Sequence, residues 1–444
     1  MGKKQGERMV MERQISSIQK DIPSVSNCLK YGIFTIYSLL FVVFGLIMNT
    51  PQEIMQGLYR IVTEPGVLIT DYVEIGGIGA AFVNAGIIML ITIGILYLLK
   101  IEISGNSIAA IYLMGGFALF GKNILNIWLI ILGVIIYTVV KKENLSNHIH
   151  TAFFGTSLAP IVSEIFFGID IPIPLKIIFG IVVGLSIGFI LPPLSASLFH
   201  VHKGFNLYNV GFTAGLIGTI YVSIFRSYGF VSYSRLIWSE GNNITFVIFL
   251  SLILVSMLLL GFILNGGSLR PIRQLFQYSG VAKSDFVLME DFGTALFNMG
   301  LNGLVAMGYV LMVGGELNGP TIGGILTVMS FGAFGKHIKN ILPVFLGVFL
   351  GSITKIWNIN DPQILLAALF GTGLAPIGGH YGWVYGVAAG FINSSVVLNS
   401  GILHGGMNLY NTGFSAGIVA AVMLPIIEVI RRKKDKSVFF GNLD

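Results

Sequence analysis

The sequence has very little charge and a single cysteine. Only 10% of its 444 residues are Asp, Glu, Lys or Arg, whereas a soluble domain carries about 25%, so this chain cannot cover a water-facing surface. Cys28 stands alone, which excludes a disulfide framework and a thiolate metal site within one chain. The P-loop, HExxH and GxSxG motifs are also missing. We therefore expect neither an enzyme nor a resident cofactor or metal.

Long hydrophobic runs are what the sequence has instead. Hydrophobic residues make up 54% of the chain, and the runs at 31–49 and 245–265 each have about the length of a bilayer-spanning helix. These runs are continuous rather than alternating, which favours α-helices over a β-barrel. The net charge of +6 comes from basic residues in terminal segments and short loops. That placement is typical of topology signals and not of nucleic-acid binding, so the pattern predicts an all-α polytopic membrane protein whose main partner is the lipid bilayer.

An internal duplication runs through the chain. The phrase "HKGFNLYNVGFTAG" (202–215) returns as "HGGMNLYNTGFSAG" (404–417), and "FGTSLAP" (154–160) returns as "FGTGLAP" (370–376). Because these pairs keep their order, we predict two membrane repeats. The predicted organisation is a cytoplasmic segment at 1–30, a first repeat at 31–228, a second at 229–430 and a basic cytoplasmic tail at 431–444.

Each repeat offers about seven apolar segments, which predicts about fourteen transmembrane helices. Since seven is odd, the second repeat should enter the membrane from the opposite side. With the N-terminus in the cytoplasm, most of the 26 Lys and Arg residues fall on the inner side. The outer side then holds only Arg60, Lys122, Lys176, Arg226, Arg235 and Lys355. We therefore expect a multi-pass protein of the bacterial cytoplasmic membrane with both termini in the cytoplasm.

Inverted repeats are typical of transporters and channels, in which the substrate site lies where the two repeats meet. Some segments here are short, interrupted or glycine-rich, and irregular backbone at membrane depth is tolerated only inside protein or along a wet cavity. We expect half-helices or re-entrant turns at 106–120, 150–168 and 192–204.

The doubled phrase supplies the candidate substrate path. On a helix of 3.6 residues per turn, His202, Asn206 and Asn209 share one face. Glycines stand roughly opposite, in a small-xxx-small pattern that lets helices approach closely. The polar stripe must face partners or water, so it either lines a solute path or forms interhelical hydrogen bonds. The second repeat carries the same stripe and glycines at His404, Asn408, Asn411, Gly406, Gly413 and Gly417.

Two pairs of ionisable residues occupy equivalent positions. Glu164 and His380 follow the two proline-containing phrases, and they are either a proton-coupling pair or helix-end residues near the interface. Lys122 and Lys336 follow "FG" at the end of a short apolar segment. They either attract an anion or extend their ammonium groups to the lipid headgroups.

Two polar pairs complete the candidates for the path. Thr156 and Thr372 precede a proline that frees a backbone carbonyl, and such an opening either contacts a solute or is an ordinary kink. Asn84 and Asn298 are single amides within long apolar spans, for which lining a path and bonding to another helix are both open.

The doubled phrases also carry a resemblance to known families. The "G.NLYN.GF.AG" and "FGT.LAP" phrases resemble an uncharacterised family of bacterial membrane proteins of about this length, known as a domain of unknown function. More loosely, "FNMGLNGL" (297–304) and "NLYNTGFSAG" (408–417) are similar to phrases of urea transporters, although the Asn-Asn-Pro triplet of those proteins is absent. The second likeness implies an inverted-repeat path for a small solute.

The function predicted on these grounds is transport or channel conduction of a small polar or ionic solute through a path between the repeats. A homo-oligomer is compatible with it. The alternatives are an integral-membrane enzyme acting on a small or lipid-linked substrate, and a membrane scaffold or signalling protein. A polar cavity between the halves would favour transport, and a dry interface would favour a scaffold.

Overall fold

The computed structural model describes residues 25–232, 234–282 and 284–440, with side chains up to residue 431. Within these residues every regular element is a helix, apart from two isolated β-bridges, so the predicted all-α class is confirmed. The predicted N-terminal segment falls largely at 1–24, outside the described residues, as do the side chains of the basic tail beyond residue 431.

The first half contains a series of long, short and broken helices. They are α1 (Asn27–Met48), α2 (Pro51–Thr63), α3 (Tyr72–Leu98), α4 (Gly105–Phe117), α5 (Trp128–Lys141), α6 (Ile149–Gly155), α7 (Ala159–Ser163), α8 (Ile173–His202) and α9 (Asn209–Ser227). A 3₁₀ turn at Thr156–Leu158 joins α6 to α7, and a π turn at Glu164–Gly168 follows α7.

The second half repeats this order. Its helices are α10 (Asn243–Leu264), α11 (Arg270–Leu275), α12 (Phe286–Met289), α13 (Phe292–Met312), α14 (Gly319–Ser330), α15 (Ile338–Thr354), α16 (Pro362–Gly371), α17 (Ala375–Tyr381), α18 (Trp383–Ser400) and α19 (Asn411–Phe440). A 3₁₀ turn at Thr372–Leu374 joins α16 to α17, as its equivalent does in the first half.

Nine helices of the described residues are long and apolar enough to cross a membrane, when each broken helix (Ile149–Gly168 and Pro362–Tyr381) is counted as one. On α10 an exposed stripe faces outward at helical spacing, with Ile244 80%, Leu252 68% and Ile263 68% accessible, while Phe246, Leu250 and other side chains of the same helix are buried. In water such a stripe would be unfavourable. The chain is therefore a polytopic helical membrane protein.

The other five predicted segments are helices of 12 to 18 residues. Helix α4 has 13 residues and α14 has 12, about 20 and 18 Å at 1.5 Å per residue, against the ~30 Å hydrocarbon core. A short helix at 106–120 and a broken one at 150–168 are thus present as predicted. The predicted break at 192–204 is wrong for most of that range, because α8 continues through Pro192 and Pro193 to His202.

The two halves pack through equivalent helices. Helices α1 and α10 meet where the Tyr37 hydroxyl lies 3.1 Å from Ser256 Oγ, and near their other ends the Phe44 and Phe249 rings stack with centroids 4.1 Å apart. Since Tyr37 pairs with a late residue of α10 and Phe44 with an earlier one, the two helices are antiparallel.

The short helices α4 and α14 form the centre of the contact between the halves. Almost every residue of both is buried. Gly105, the first residue of α4, lies against Ala333 just beyond α14, and Gly319, the first residue of α14, lies against Leu119 just beyond α4. These helices are therefore antiparallel as well. The equivalent helices α9 and α19 cross at Gly211 and Gly413.

Candidate functional site

The first copy of the doubled phrase is a turn followed by a helix. Lys203 and Gly204 have φ of 50° and 81°, a left-handed conformation that stops α8 and that glycine adopts without strain. Helix α9 begins only at Asn209. The prediction that His202, Asn206 and Asn209 share one helical face is therefore wrong. The turn nevertheless brings His202 Nε2 to 2.9 Å from Asn209 Oδ1.

The second copy folds in the same way. Helix α18 ends at Ser400, and Gly405 and Gly406 have φ of 57° and 71°. The turn places His404 Nε2 2.9 Å from Asn411 Oδ1. In both copies the chain forms a turn that is closed by a hydrogen bond between a buried histidine and a partly buried asparagine.

Asn206 and Asn408 hold the backbone of these turns. Each side-chain oxygen accepts a 3.0 Å hydrogen bond from the backbone N–H two residues later, at Tyr208 and Tyr410. The Asn206 amide also donates to the carbonyl of Gly413 in the other half, at 3.0 Å. Both side chains are fully buried. The sequence left open whether these residues line a solute path or form hydrogen bonds within the protein, and their contacts are hydrogen bonds within the protein.

Each turn also docks onto the broken helix of the opposite half. The backbone N–H of Leu207 donates to the carbonyl of Gly373, and that of Leu409 donates to the carbonyl of Ser157, both at 3.0 Å. These carbonyls belong to the 3₁₀ turns that precede Pro376 and Pro160. The irregular backbone at the two breaks is therefore satisfied by the other half of the protein.

Thr156 and Thr372 stand at the start of these breaks. Their hydroxyls donate to the carbonyls of Phe153 and Leu369 respectively, both at 2.6 Å, and both residues are fully buried. Thr372 additionally accepts a hydrogen bond from Lys336. Neither threonine lines a cavity described below.

Two cavities related by the duplication lie between the two halves, and each is lined by residues of both. The first has a volume of about 310 Å³ and the second about 200 Å³. Residues at equivalent positions of the two repeats line the two cavities. In the first cavity they are Leu366, Phe370, Val397, Leu409, Asn411 and Thr412, and in the second His150, Phe154, Ser195, Leu207, Asn209 and Val210.

The cavities lie toward opposite ends of the molecule. The first is bordered by Ser232 and Ser234 from the loop that precedes α10. The second is bordered by Ala282, which lies between α11 and α12 in the segment that follows α10. Because α10 has 22 residues and is therefore about 33 Å long, the loops at its two ends lie on opposite faces of the protein.

Among the predicted polar residues, Asn209 and Asn411 each line a cavity and also hydrogen-bond to a backbone carbonyl. Asn209 lines the second cavity and donates to the Ser195 carbonyl at 3.0 Å. Asn411 lines the first and donates to the Val397 carbonyl at 3.0 Å. The predicted lining role and the predicted hydrogen-bonding role coexist at these two positions.

A cluster of five buried aromatic residues separates the cavities. We call it the aromatic barrier, and it consists of Phe117, Tyr208, Phe331, Phe370 and Tyr410. The Tyr208 and Tyr410 rings meet with centroids 4.9 Å apart. Tyr410 lies 4.8 Å from Phe117 and 6.2 Å from Phe370, and Tyr208 lies 5.0 Å from Phe331. Phe370 lines the first cavity, whereas Tyr208, Phe331 and Tyr410 line the second.

Lys122 and Lys336 pack against rings of this barrier. Both are fully buried, so the alternative in which they extend to the headgroups is wrong. Lys336 Nζ lies 4.7 Å from the Tyr208 ring centroid and 5.0 Å from that of Phe331. It also donates to Thr372 Oγ1 at 2.8 Å and to the Tyr208 hydroxyl.

Lys122 has a similar setting in the other half. Its Nζ lies 5.0 Å from the Phe117 ring centroid. Its hydrogen-bond partners are Met114 Sδ and the Phe153 carbonyl, both at 3.3 Å. The ammonium group thus faces a ring, a sulfur and one carbonyl.

A charged ammonium group at either position would be compensated only partly by its surroundings. Each lysine follows the C-terminal end of a short helix, where the helix dipole favours a cation by up to ~2 kcal/mol. A ring face adds about 0.5–2 kcal/mol. Removing an ammonium group from water costs several kcal/mol in a real protein. Among the described residues no carboxylate lies within 4.0 Å of either lysine, so a negative partner is missing from both.

Asn84 and Asn298 support the turns that carry the lysines. The Asn84 amide donates to the carbonyls of Ala118 and Lys122 at 2.7 and 2.9 Å. The Asn298 amide donates to the equivalent carbonyls of Gly332 and Lys336, both at 2.7 Å. Neither residue lines a cavity, so bonding between elements describes their contacts.

Glu164 and His380 are not brought together. Glu164 is buried and begins the π turn after α7. His380 is exposed, and its ring packs against Phe205 and Tyr381 at 5.3 and 4.7 Å. They share no contact within the described part of the chain, so the structure does not pair them.

Two acidic residues and two tyrosines of the site are absent from the residues predicted from the sequence. Asp71 and Asp285 hold the starts of α14 and α4 across the interface, and Tyr208 and Tyr410 form the middle of the barrier. All four occupy equivalent positions in the two repeats. Their pairing in the duplicated sequence was the available signal, because a polar residue kept in both copies has a role in each.

The fold and the paired cavities define a polytopic α-helical membrane protein built from two equivalent halves. The chain belongs to the family described as "Protein of unknown function (DUF1576)", which matches residues 50–227 and 264–429. The predicted membership of an uncharacterised family is thus confirmed. No curated protein and no solved structure matches the chain, so the likeness to urea transporters gains no support there.

Proposed function

We propose that the protein carries a small polar or ionic solute across the bacterial cytoplasmic membrane by opening its two cavities alternately to a shared centre. The observation that carries this proposal is the pair of cavities, lined by equivalent residues and lying on opposite sides of one aromatic barrier. A scaffold would have no need for two matching cavities, whereas a transporter uses one for each side of the membrane.

The antiparallel packing of equivalent helices supports an inverted-topology repeat. In such a pair, one half can adopt the conformation of the other, which closes one cavity and opens its equivalent. The distribution of Lys and Arg favours a cytoplasmic position for the loop at 265–285. In this proposal the second cavity faces the cytoplasm and the first faces outward.

The chain offers a simple test through thiol accessibility. Since Cys28 is the single cysteine, Cys28→Ser gives a background free of cysteine. Thr412→Cys and Val210→Cys then place one thiol at equivalent positions in the first and second cavities. Both positions line a cavity, so a thiol there can meet a reagent that enters from the adjacent side.

A membrane-impermeant thiol reagent applied from outside should modify Thr412→Cys and spare Val210→Cys. In inverted vesicles the pattern should reverse. Ala214→Cys, fully buried on α9, is the control that should stay unmodified from both sides. Modification of both cavity thiols from the same side, with the control silent, would overturn the proposal.

A further inference from the structure

We propose that the solute is a small monovalent anion, taken up at the ammonium groups of Lys122 and Lys336. That it is carried across the membrane rests on the proposed transport function, whereas its binding does not. Four steps lead to this assignment: the missing counter-charge, the free donor capacity of the two ammonium groups, their distance from the cavities, and the chemistry of the cavity walls.

The first step is the charge of the protein centre. The ion pairs of the described residues are Lys30–Glu102, His148–Glu143, Lys203–Glu428 and Arg235–Glu64, so neither central lysine takes part in one. The buried carboxylates of Asp71 and Asp285 accept hydrogen bonds from helix N-termini instead. The centre thus holds two equivalent lysines, and neither has a negative partner among the described residues.

The second step is hydrogen bonding. An ammonium group carries three N–H donors. Lys336 uses two, to Thr372 and Tyr208. Lys122 uses its donors at 3.3 Å on one carbonyl and on the sulfur of Met114, which is a weak acceptor. Each group therefore keeps donor capacity that the oxygens of an anion can use, and such charge-assisted bonds are the strong ones.

The third step is access from the cavities. Tyr208 and Phe331 touch the Lys336 ammonium group with their ring faces and also line the second cavity. Lys122 lies against Phe117, whose ring is 5.7 Å from Phe370 on the wall of the first cavity. Rotation of the barrier rings would thus expose Lys336 to the second cavity and Lys122 to the first.

The fourth step is the class of anion. Volumes of 200 and 310 Å³ fall at or below the lower limit of ordinary ligand pockets, so the solute is small. Apolar side chains form half or slightly more of each wall, and the polar residues include Arg226, Gln363 and Asn411 in the first cavity and Asn106, His150 and Asn209 in the second. A short-chain monocarboxylate matches this mixture, because its apolar tail meets the walls and its single charge meets a lysine. A multiply charged anion would lose more hydration than these groups replace, and a cation would be repelled.

Binding can be measured on the purified full-length protein without any flux assay. We would follow equilibrium binding of radiolabelled acetate and its displacement by sodium formate and sodium butyrate, with choline, urea and sulfate as competitors of other classes. We expect saturable binding that formate and butyrate displace and that choline, urea and sulfate leave in place. Lys122→Met and Lys336→Met should each weaken acetate binding at least tenfold, and the double variant should abolish it.

The matched control is Lys141→Met, an exposed lysine at the end of α5, which should bind acetate as the unmodified protein does. If the central variants fail to fold, the competition series on the unmodified protein decides alone. Absence of saturable acetate binding there, or displacement by choline or urea, would overturn the assignment. Full acetate binding in a folded double variant would overturn it as well.

The two proposals fail in different ways. Acetate binding that depends on both lysines, in proteoliposomes that show no flux of any solute, would refute transport and leave the anion site standing. Alternate accessibility of the two cavity thiols, together with uptake of a neutral or cationic solute and no anion binding, would refute the anion site and leave transport standing.

Discussion

Asp285 Oδ1 lies 2.9 Å from the backbone nitrogen of Gly105, so a carboxylate of the second half caps the central short helix of the first. The reciprocal contact joins Asp71 Oδ1 to the backbone nitrogen of Gly319 at 3.2 Å. The first N–H groups of a helix have no partner within that helix, and here each half supplies the acceptor that the other lacks. The two halves are thereby tied at both ends of the α4–α14 pair.

Removing either cap should destabilise the whole protein. Asp285→Ala and Asp71→Ala leave buried N–H groups without an acceptor, which costs about 1–3 kcal/mol for each group. We expect each variant to lower the free energy of unfolding in detergent by at least that amount. Asp170→Ala, at an exposed position, is the control and should stay within about 0.5 kcal/mol of the unmodified protein. Caps that cost no more than the control would show that the reciprocal contact contributes little.

The crossing of α9 and α19 depends on glycine. A Cβ on Gly211 would lie 2.9 Å from Tyr410 Cγ and 3.2 Å from the Cα of Gly413. Gly211→Ala should therefore force the helices apart and cost about 1–3 kcal/mol of unfolding free energy. Gly94→Ala, on α3 with open space around it, should be neutral or slightly stabilising because alanine favours the helix. Equal thermal midpoints for the two variants would contradict the close crossing.

Asn206→Leu should reduce folding stability as well as any flux. Interpreted as one helical stripe, the sequence predicts loss of flux from Asn206→Leu with Asn408→Leu in a largely intact fold. The structure changes that expectation, because the buried Asn206 side chain bonds to Tyr208 and Gly413. Leucine would leave those groups unpaired at about 1–3 kcal/mol each. Asn399→Leu, an exposed asparagine on α18, is the matched control, and similar thermal stability of the two variants would count against this account.

Tyr410→Ala should make the membrane leaky. Its ring stands between Phe117, Phe370 and Tyr208, so its removal opens the barrier from one cavity to the other. We expect a roughly tenfold or greater rise in passive efflux of a small solute from proteoliposomes, about the effect of lowering a barrier by 1.4 kcal/mol. Phe44→Ala, at the contact of α1 and α10, removes a ring elsewhere and should not raise efflux. Equal efflux from both variants would place the barrier somewhere other than at Tyr410.

The proposed inverted topology places residues 145 and 230 on opposite sides of the membrane. A reporter active only in the cytoplasm should work when fused after residue 145, and a reporter active only outside should work after residue 230. The reason is that about seven membrane segments are predicted in each repeat, and after an odd number of crossings the loop between the halves emerges opposite the N-terminal side. Activity of the same reporter at both sites would refute this topology.

The helical membrane class, the duplication and the approximate positions of most helices were open to prediction from the sequence. Each of these features depends on residues that are close together in the sequence. A run of apolar residues such as 245–265 is stabilised in lipid wherever it lies in the fold. A repeated phrase can be recognised from the order of the residues alone. The short helix at 106–120 was predictable for the same reason, since its length can be counted.

What the polar residues of those phrases contact was decided only by the tertiary structure. His202, Asn206 and Asn209 look like a helical stripe until Gly204 adopts a left-handed conformation and turns the chain. Lys122 and Lys336 look like residues at the headgroups until the packing of both halves encloses them. The sequence by itself determined that this chain forms paired membrane helices, because hydrophobicity and length act residue by residue. Which side chains face a cavity, a partner or each other depended on contacts between residues some 200 positions apart, and those exist only once the halves have packed.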